Sequence, residues 1–308
     1  MDIGQLKTLI HVAELGSISK ASARLNIVQP ALSRKIRLLE EELDVVLFDR
    51  DGRGMVPTTM GGKIIGHAIK VMDELEDIRR LAASRTEKLA GEVVIGVTPT
   101  VAEFATVPLA QRAAAEHPDL AVRFTSAFSG YLLDWLQSGD IDVALSYDPE
   151  RVASLRVRPV MIENLLLIRH NQCADDGETG IAFSRLAGER LVLPSQRHGL
   201  RKILDACALR AGITLKPSVE ADSLNAIVAL VRNGFGSTIL PLPPVYDAVL
   251  EGRLQAVPIF DPAPTRTLVI VSAFDRGLTD AAQFIANTFI DVANEFVSQR
   301  GWAGTMLA

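Results

Sequence analysis

Residues 29–37 put several kinds of hydrogen-bonding chemistry on one short stretch: Gln29, Pro30, Ser33, Arg34, Lys35 and Arg37. Arg presents paired donors that match the two acceptors on a guanine edge. Gln offers the donor and acceptor that adenine needs, and a proline ring can touch a thymine methyl. If the stretch is a helix, Gln29, Ser33 and Arg34 occupy its exposed N-terminal end, the part of a groove-bound helix that reaches bases. Lys35, Arg37, Arg50, Arg53 and Thr58 suit phosphates, which position a protein without reading sequence. Each of these side chains can equally be an ordinary solvated one.

A second set of groups follows apolar runs further along the chain. Thr98 and Thr100 come after one such run, Ser126 and Phe128 after a second, and Ser146 after a third, while Ser195 and Arg197 follow Leu193-Pro194. Hydroxyls near helix N-termini, with one Arg, suit a small anion such as a carboxylate. The plainer alternative is that these hydroxyls only cap helices.

Enzyme signatures are missing. There is no G-x-S-x-G elbow, Walker A loop, H-E-x-x-H or C-x-x-C. Gly234-Phe235-Gly236 lacks the third glycine of a dinucleotide fingerprint and reads as a turn into a strand. His11, His67, His117, His170 and His198 show no metal-ligand spacing, and His117 before Pro118-Asp119 reads as the end of a helix. Cys173 and Cys207, the only cysteines, read as two ordinary thiols. No metal and no cofactor is expected.

The elements that must position these groups change character along the chain. Leu6, Leu9, Ile10 and Ala13 mark the apolar face of a first helix, which Gly16-Ser17 breaks. Ser17 can cap a second helix with Ile18, Ala21, Ser22 and Leu25. After a tight link, Pro30 suits the first turn of a third helix, whose buried stripe is Leu32, Ile36, Leu39 and Leu43. Two short helices joined tightly, the second exposing Ser and Arg, is how a helix-turn-helix presents a recognition helix. Val46-Leu47-Phe48 and Met55-Val56 flank Asp51-Gly52-Arg53-Gly54, a short hairpin. Thr58-Thr59 can cap a long helix to about Leu89, with a stripe through Ile64/Ile65, Ala68, Val71/Met72, Leu75, Ile78 and Ala82. Such a stripe needs a partner, read here as a second copy in a coiled coil, with packing onto its own domain as the alternative.

From Gly91 strands alternate with helices. Val93–Val97, Leu120–Ser126, Ile141–Ser146, Leu165–Arg169, Arg190–Leu193, Ser237–Leu240 and Leu268–Val271 read as strands, and 102–116 and 130–138 as helices. The alternation predicts an α/β fold with parallel sheets and ligands at strand C-termini.

Composition bounds the function classes. The chain has 308 residues, 48% hydrophobic and 22% charged, with a net charge of −5, enough for about two domains and too apolar for disorder. No apolar run approaches the 18 or so residues of a membrane span. The start, Met1-Asp2-Ile3-Gly4-Gln5, lacks a signal peptide's basic region, so a reduced, cytoplasmic protein with no membrane partner is expected. A pI near 5.6 argues weakly against nucleic acid. Residues 1–88, however, hold 14 Lys and Arg against 13 Asp and Glu, so the acidic excess lies entirely beyond them.

The linear string is more specific than any of these features. Gly16-Ser17, Ala21, Leu25, Gln29-Pro30-Ala31-Leu32-Ser33, Ile36, Leu39-Glu40, Leu43, Leu47-Phe48 and Arg50, continued by Pro57-Thr58 and Gly61, resemble the LysR-type transcriptional regulators. The likeness is tightest over about 1–61 and looser beyond. Two positions depart from the family pattern: Val28 replaces the usual Ser or Thr, and Asp44 the usual Gly. Val28 and the segment Leu191-Val192-Leu193-Pro194-Ser195 are similar to the nitrogen-assimilation control branch.

The resemblance implies a winged helix-turn-helix over 1–58, a linker and dimerisation helix over 59–89, and an effector-binding domain over 90–308. That domain would have a periplasmic-binding-protein-like form, with lobe I at 91–161 plus 267–296 and lobe II at 162–266. Ser17, Gln29, Pro30, Ser33, Arg34, Lys35, Arg37, Arg50, Arg53 and Thr58 would meet double-stranded DNA. Thr98, Ser126 and Ser195 would hold a small anionic effector, with Thr100, Phe128, Ser146 and Arg197 nearby. A homodimer or homotetramer and RNA polymerase complete the implied partners. Two rivals are an α/β enzyme with an accessory N-terminal domain and a solute-binding module; site selection in a gel-shift assay separates them from a regulator.

Overall fold

The computed structural model of the chain describes residues 1–51, 54–83, 88–147, 155–171, 179–274, 276–299 and 302–307, with residues 50, 51, 73, 76, 77 and 79–83 described by backbone alone. Arg53, Cys173, the side chain of Arg50 and the linker segment 84–87 therefore lie outside the described side chains. Two compact units result: Met1–Glu87 with Glu150–Arg156 and Ala273–Gly277, and Lys88–Pro149 with Val157–Ser272 and Leu278–Ala308.

The first unit opens with α1 (Ile3–Leu15), α2 (Ile18–Leu25) and α3 (Gln29–Leu43). Asp2 starts α1 by a reciprocal cap: its carboxylate accepts from the Gln5 amide at 2.7 Å, and the Gln5 side chain accepts from the Asp2 amide at 2.8 Å. Gly16, at φ +57°, ends α1. Val28 leaves α3 without a side-chain cap, and Asp44 closes it at φ +51°, a left-handed position that Asp tolerates better than most side chains. The antiparallel hairpin β1 (Phe48–Asp51) and β2 (Gly54–Pro57) follows. Gly54 is obligatory there, since at φ +117° a Cβ would lie 2.4 Å from the Gly16 carbonyl oxygen, which accepts from Met55 N–H at 2.9 Å. Helix α4 (Thr59–Ala83) sends Ile65, Ala68 and Met72 into one core with Leu6, Leu9, Ile10, Leu32, Ile36 and Leu39. Half of the linker stripe therefore packs within its own chain, the alternative reading of that stripe.

In the second unit β3 (Gly91–Val97), α5 (Pro99–Glu116), β4 (Leu120–Ser126), α6 (Ser129–Ser138) and β5 (Val143–Tyr147) begin one sheet. The chain then runs through β6 (Leu155–Asn164) into β7 (Leu166–His170) and a second lobe. That lobe adds β8 (Ile181–Ala182), β9 (Leu191–Leu193), α7 (Gly199–Arg210), β10 (Pro217–Glu220), α8 (Leu224–Arg232), β11 (Thr238–Leu240), α9 (Tyr246–Leu250) and β12 (Leu254–Phe260). Strand β13 (Thr265–Ala273) returns to the first sheet, followed by α10 (Asp280–Ser298) and β14 (Gly304–Met306). The first sheet is ordered β14-β6-β13-β5-β3-β4. One apolar core joins β3, β5 and β13 to α5 and α10, and a separate one joins β7, β9, β11 and β12 to α7 and α8. Among the described residues no helix is long and apolar enough to cross a membrane.

The expected all-parallel sheets are instead mixed. Strand β3 pairs in parallel with β4 and β5, but β13 runs antiparallel to β5, β14 to β6, and β11 and β12 to β7. The overlooked strands explain the error. Pro159 and two arginines interrupt β6, and Pro258 interrupts β12, so neither reads as a buried strand from its sequence.

Candidate functional site

Helix α3 buries Leu32, Ile36 and Leu39 and so turns the opposite face outward. Arg34 stands at the centre of that face, with Pro30 and Arg37 exposed around it, Ser33 half-buried at its edge and Gln29 exposed at the start of the helix. Ser19 of α2 donates to the Gln29 side-chain oxygen at 3.2 Å and so steadies it. Arg37 pairs with Glu41 at 3.3 Å; both are exposed, so a phosphate can replace the carboxylate at little cost. Lys35 lies elsewhere. Its ammonium would be 3.3 Å from a Cβ at Gly4, over the start of α1 and away from the Arg34 strip.

Two of the hydroxyls expected at DNA have structural work. Ser17 accepts from the Lys20 amide at 3.4 Å as the cap of α2. Thr58 donates to the Val46 carbonyl at 2.8 Å and accepts from the Gly61 amide at 2.9 Å, so its single hydrogen is already engaged. The Arg53 expectation and the Arg50 side chain lie outside what is described.

In the second unit a cavity of about 460 Å³ opens between the lobes. Pro99, Ala102 and Glu103 of α5 line it, with Ser126, Ala127, Phe128 and Tyr131 from the β4–α6 turn and Asp222 to Asn225 before and within α8. The volume falls in the range of small-molecule sites. Of the expected effector residues, Ser126 and Phe128 reach the lining, and Thr98 immediately precedes it. Thr98 is buried and makes no cap for α5, and its hydroxyl has no partner among the described residues. The Ser146 hydroxyl, fully buried on β5, is likewise unpartnered. Capping therefore does not account for either. Arg197 is exposed and outside the lining.

Ser195 is engaged by the chain itself. Its amide donates to Asp222 Oδ1 at 2.9 Å and its hydroxyl to Oδ2 at 3.1 Å. These bonds hold the Asp222 carboxyl below its ordinary range. Across from it the His198 ring meets Phe128 edge-to-face, with centroids 4.7 Å apart, a contact between the two lobes. Burial, and then the charge of Arg266, push the His198 imidazole below its usual pKa and favour the neutral ring.

Sequence reasoning missed the buried cluster behind the cavity, where the chain passes between lobes. Arg266 Nε donates to Glu163 Oε2 at 2.6 Å and Nη2 to Thr100 Oγ1 at 3.2 Å, and the guanidinium lies 3.4 Å from the Tyr147 ring centroid. Trp302 Nε1 donates to Glu163 Oε1 at 3.0 Å. Burial pushes the Tyr147 hydroxyl well above its ordinary pKa, so it stays protonated and donates to Glu163. No signal in the sequence marked it, since Glu163 and Arg266 both lie outside the runs that read as strands. Among the described residues no group of His, Cys, Asp and Glu could hold a metal ion.

Comparison with known proteins bears on both places. Residues 3–62 match the model of the bacterial regulatory helix-turn-helix protein, lysR family, and residues 86–294 that of the LysR substrate binding domain. The nitrogen assimilation regulatory protein nac of Klebsiella aerogenes is 30% identical over 243 residues, 78% of each chain. The hydrogen peroxide-inducible genes activator of Haemophilus influenzae is 29% identical, covering 94% of this chain and 97% of its own. Among solved structures, an OxyR mutant of Corynebacterium glutamicum aligns with a TM-score of 0.60 at 25% identity, over 96% of this chain and 94% of that one.

Proposed function

This chain belongs to the LysR family of transcriptional regulators, and from that premise we propose that the outward face of α3 reads base edges in a DNA major groove while a small molecule between the lobes adjusts that binding. It is a DNA-binding regulator with an effector-binding domain, and its relatives are regulators, not enzymes. The observation that carries the base-reading assignment is the position of Arg34. It lies directly opposite the buried stripe, and Gln29, in the first turn of the same helix, is steadied by Ser19. Arg37 supplies a phosphate contact at the edge of the same face. Ser33 can add a hydrogen bond, and Pro30 an apolar touch, at the N-terminal end.

The cavity supports a bound effector because it has small-molecule size and is lined from both lobes, with the expected Ser126 and Phe128 among its lining residues. The expectation of a carboxylate on Ser195 meets a difficulty: that seat already holds the carboxylate of Asp222. The regulator works as a dimer or tetramer in the cytoplasm, beside the chromosome, and reaches RNA polymerase from its operator. The test is selection of genomic fragments by the full chain, followed by gel shifts against random duplex. Recovery of a defined site of dyad symmetry is expected; equal affinity for selected and random DNA would refute the reading.

A further inference from the structure

Resting on the effector reading above, we propose that the ligand of the interlobe cavity is a small organic cation, an ammonium or guanidinium group on an apolar body. The anion seat expected in the second lobe is the Ser195 amide and hydroxyl, and both already donate to Asp222. A ligand carboxylate would have to expel Asp222 and then lie beside it, and two like charges within a few ångströms are unfavourable. The chain thus supplies its own anion, and what remains open to a ligand is the outer side of that carboxylate.

The rest of the lining agrees. Among the described lining residues the charged side chains are Glu103 from one lobe and Asp222 from the other, with neither Lys nor Arg. Phe128 and Tyr131 add two aromatic rings, whose faces attract cations. The cationic groups nearest by are compensated within the protein. Arg266 is bound to Glu163, and Arg201 to Asp205 and Glu220 at 2.9 Å each. Burial and the charge of Arg266 push the His198 imidazole below its usual pKa, which favours the neutral ring. Arg197 does act on Asp222 through space, but from outside the lining.

Calorimetry on the full-length protein with benzylammonium, butylammonium and guanidinium, against benzoate and butyrate at the same pH and ionic strength, tests the charge. At least one cation is expected to bind and neither anion to do so. Affinity should fall at least tenfold in Asp222→Asn and also in Glu103→Gln, which leaves the Ser195 seat intact. Binding of benzoate or butyrate as tight as that of their ammonium counterparts, or cation binding that survives both substitutions, overturns the proposal. If an anion binds and alters the operator gel shift, the cation assignment fails while the effector reading stands. If neither class binds, both fall, and the DNA-binding reading is judged separately by the genomic selection.

Discussion

Thr58 and Thr98 are the same residue in the same kind of place, one position before a helix, and they behave differently. The Thr58 hydroxyl closes the turn into α4, whereas that of Thr98 is buried and has no partner among the described residues. Sequence cannot separate the two, because the difference lies in what else comes within 3.5 Å. Arg34 was more legible, since a buried stripe on a helix fixes which residues face away from it. Arg34→Ala should weaken specific DNA by about 1–3 kcal/mol and relax selectivity at one base pair per half-site, as gel shifts with permuted sites would show. The Glu163–Arg266 pair was illegible, being a contact between residues 103 apart. Both partners are buried, so Glu163→Gln strands a guanidinium and should destabilise the effector domain by about 3–5 kcal/mol in denaturant unfolding. The double change with Arg266→Met should cost less than the sum of the single ones. His198 has a lowered folded pKa, so the unfolded chain binds more protons as pH falls through about 6.5. Stability should therefore decline from pH 7 towards 5, with a shallower slope in His198→Gln on pH-series melting.

At the scale of elements, α4 shows how a correct pattern can leave its partner open. Its stripe recurs every three or four residues from Ile64 to Ala82, so the helix itself was readable. The first half finds its partner inside the chain: Ile65, Ala68 and Met72 are buried with α1, and Leu75 is half-buried against the same core. Val71 and Ile78 remain out, Ile78 with 60% of its surface exposed. If the exposed half of this helix meets a second copy, Ile78 rather than Leu75 is the position that isolates that seam. Ile78→Asp should keep the melting temperature of the first unit yet sediment as a monomer and lose operator affinity, because linked half-sites no longer reinforce each other. Met72→Asp should instead unfold that unit, since it buries an unpaired carboxylate. An Ile78→Asp protein that still sediments as a dimer would assign the exposed half of the helix to solvent. Strands β6 and β12 escaped notice for a related reason. Their prolines and charges deny them the apolar run by which β3 and β5 are recognised, and only pairing with β13, β14 and β7 makes them strands.

For the whole molecule the question is how a small ligand acts on a distant helix. A ligand in the cavity touches α5 and the β4–α6 turn on one side and the Asp222–Asn225 segment on the other. It therefore distinguishes one lobe arrangement from another, which is the only way a ligand can shift such an equilibrium. Two chain crossings, β6 to β7 and β12 to β13, join the lobes, and the Phe128–His198 contact is one that rearrangement would break. Coupling of this kind is typically about 1–3 kcal/mol, so a footprint or affinity should shift rather than switch absolutely. Thr98→Val separates binding from coupling. In the free protein the hydroxyl has no partner, so replacing it with a methyl of like shape removes an unsatisfied buried group and should leave stability unchanged or slightly raised. Ligand-free DNA binding should be unaffected. If the proposed ligand bonds the Thr98 hydroxyl, the same change removes that bond, and calorimetry should show weaker binding and footprinting a lost response. A ligand that binds wild type and Thr98→Val equally, yet still shifts the footprint, would remove Thr98 from the site while leaving the coupling through the cavity in place.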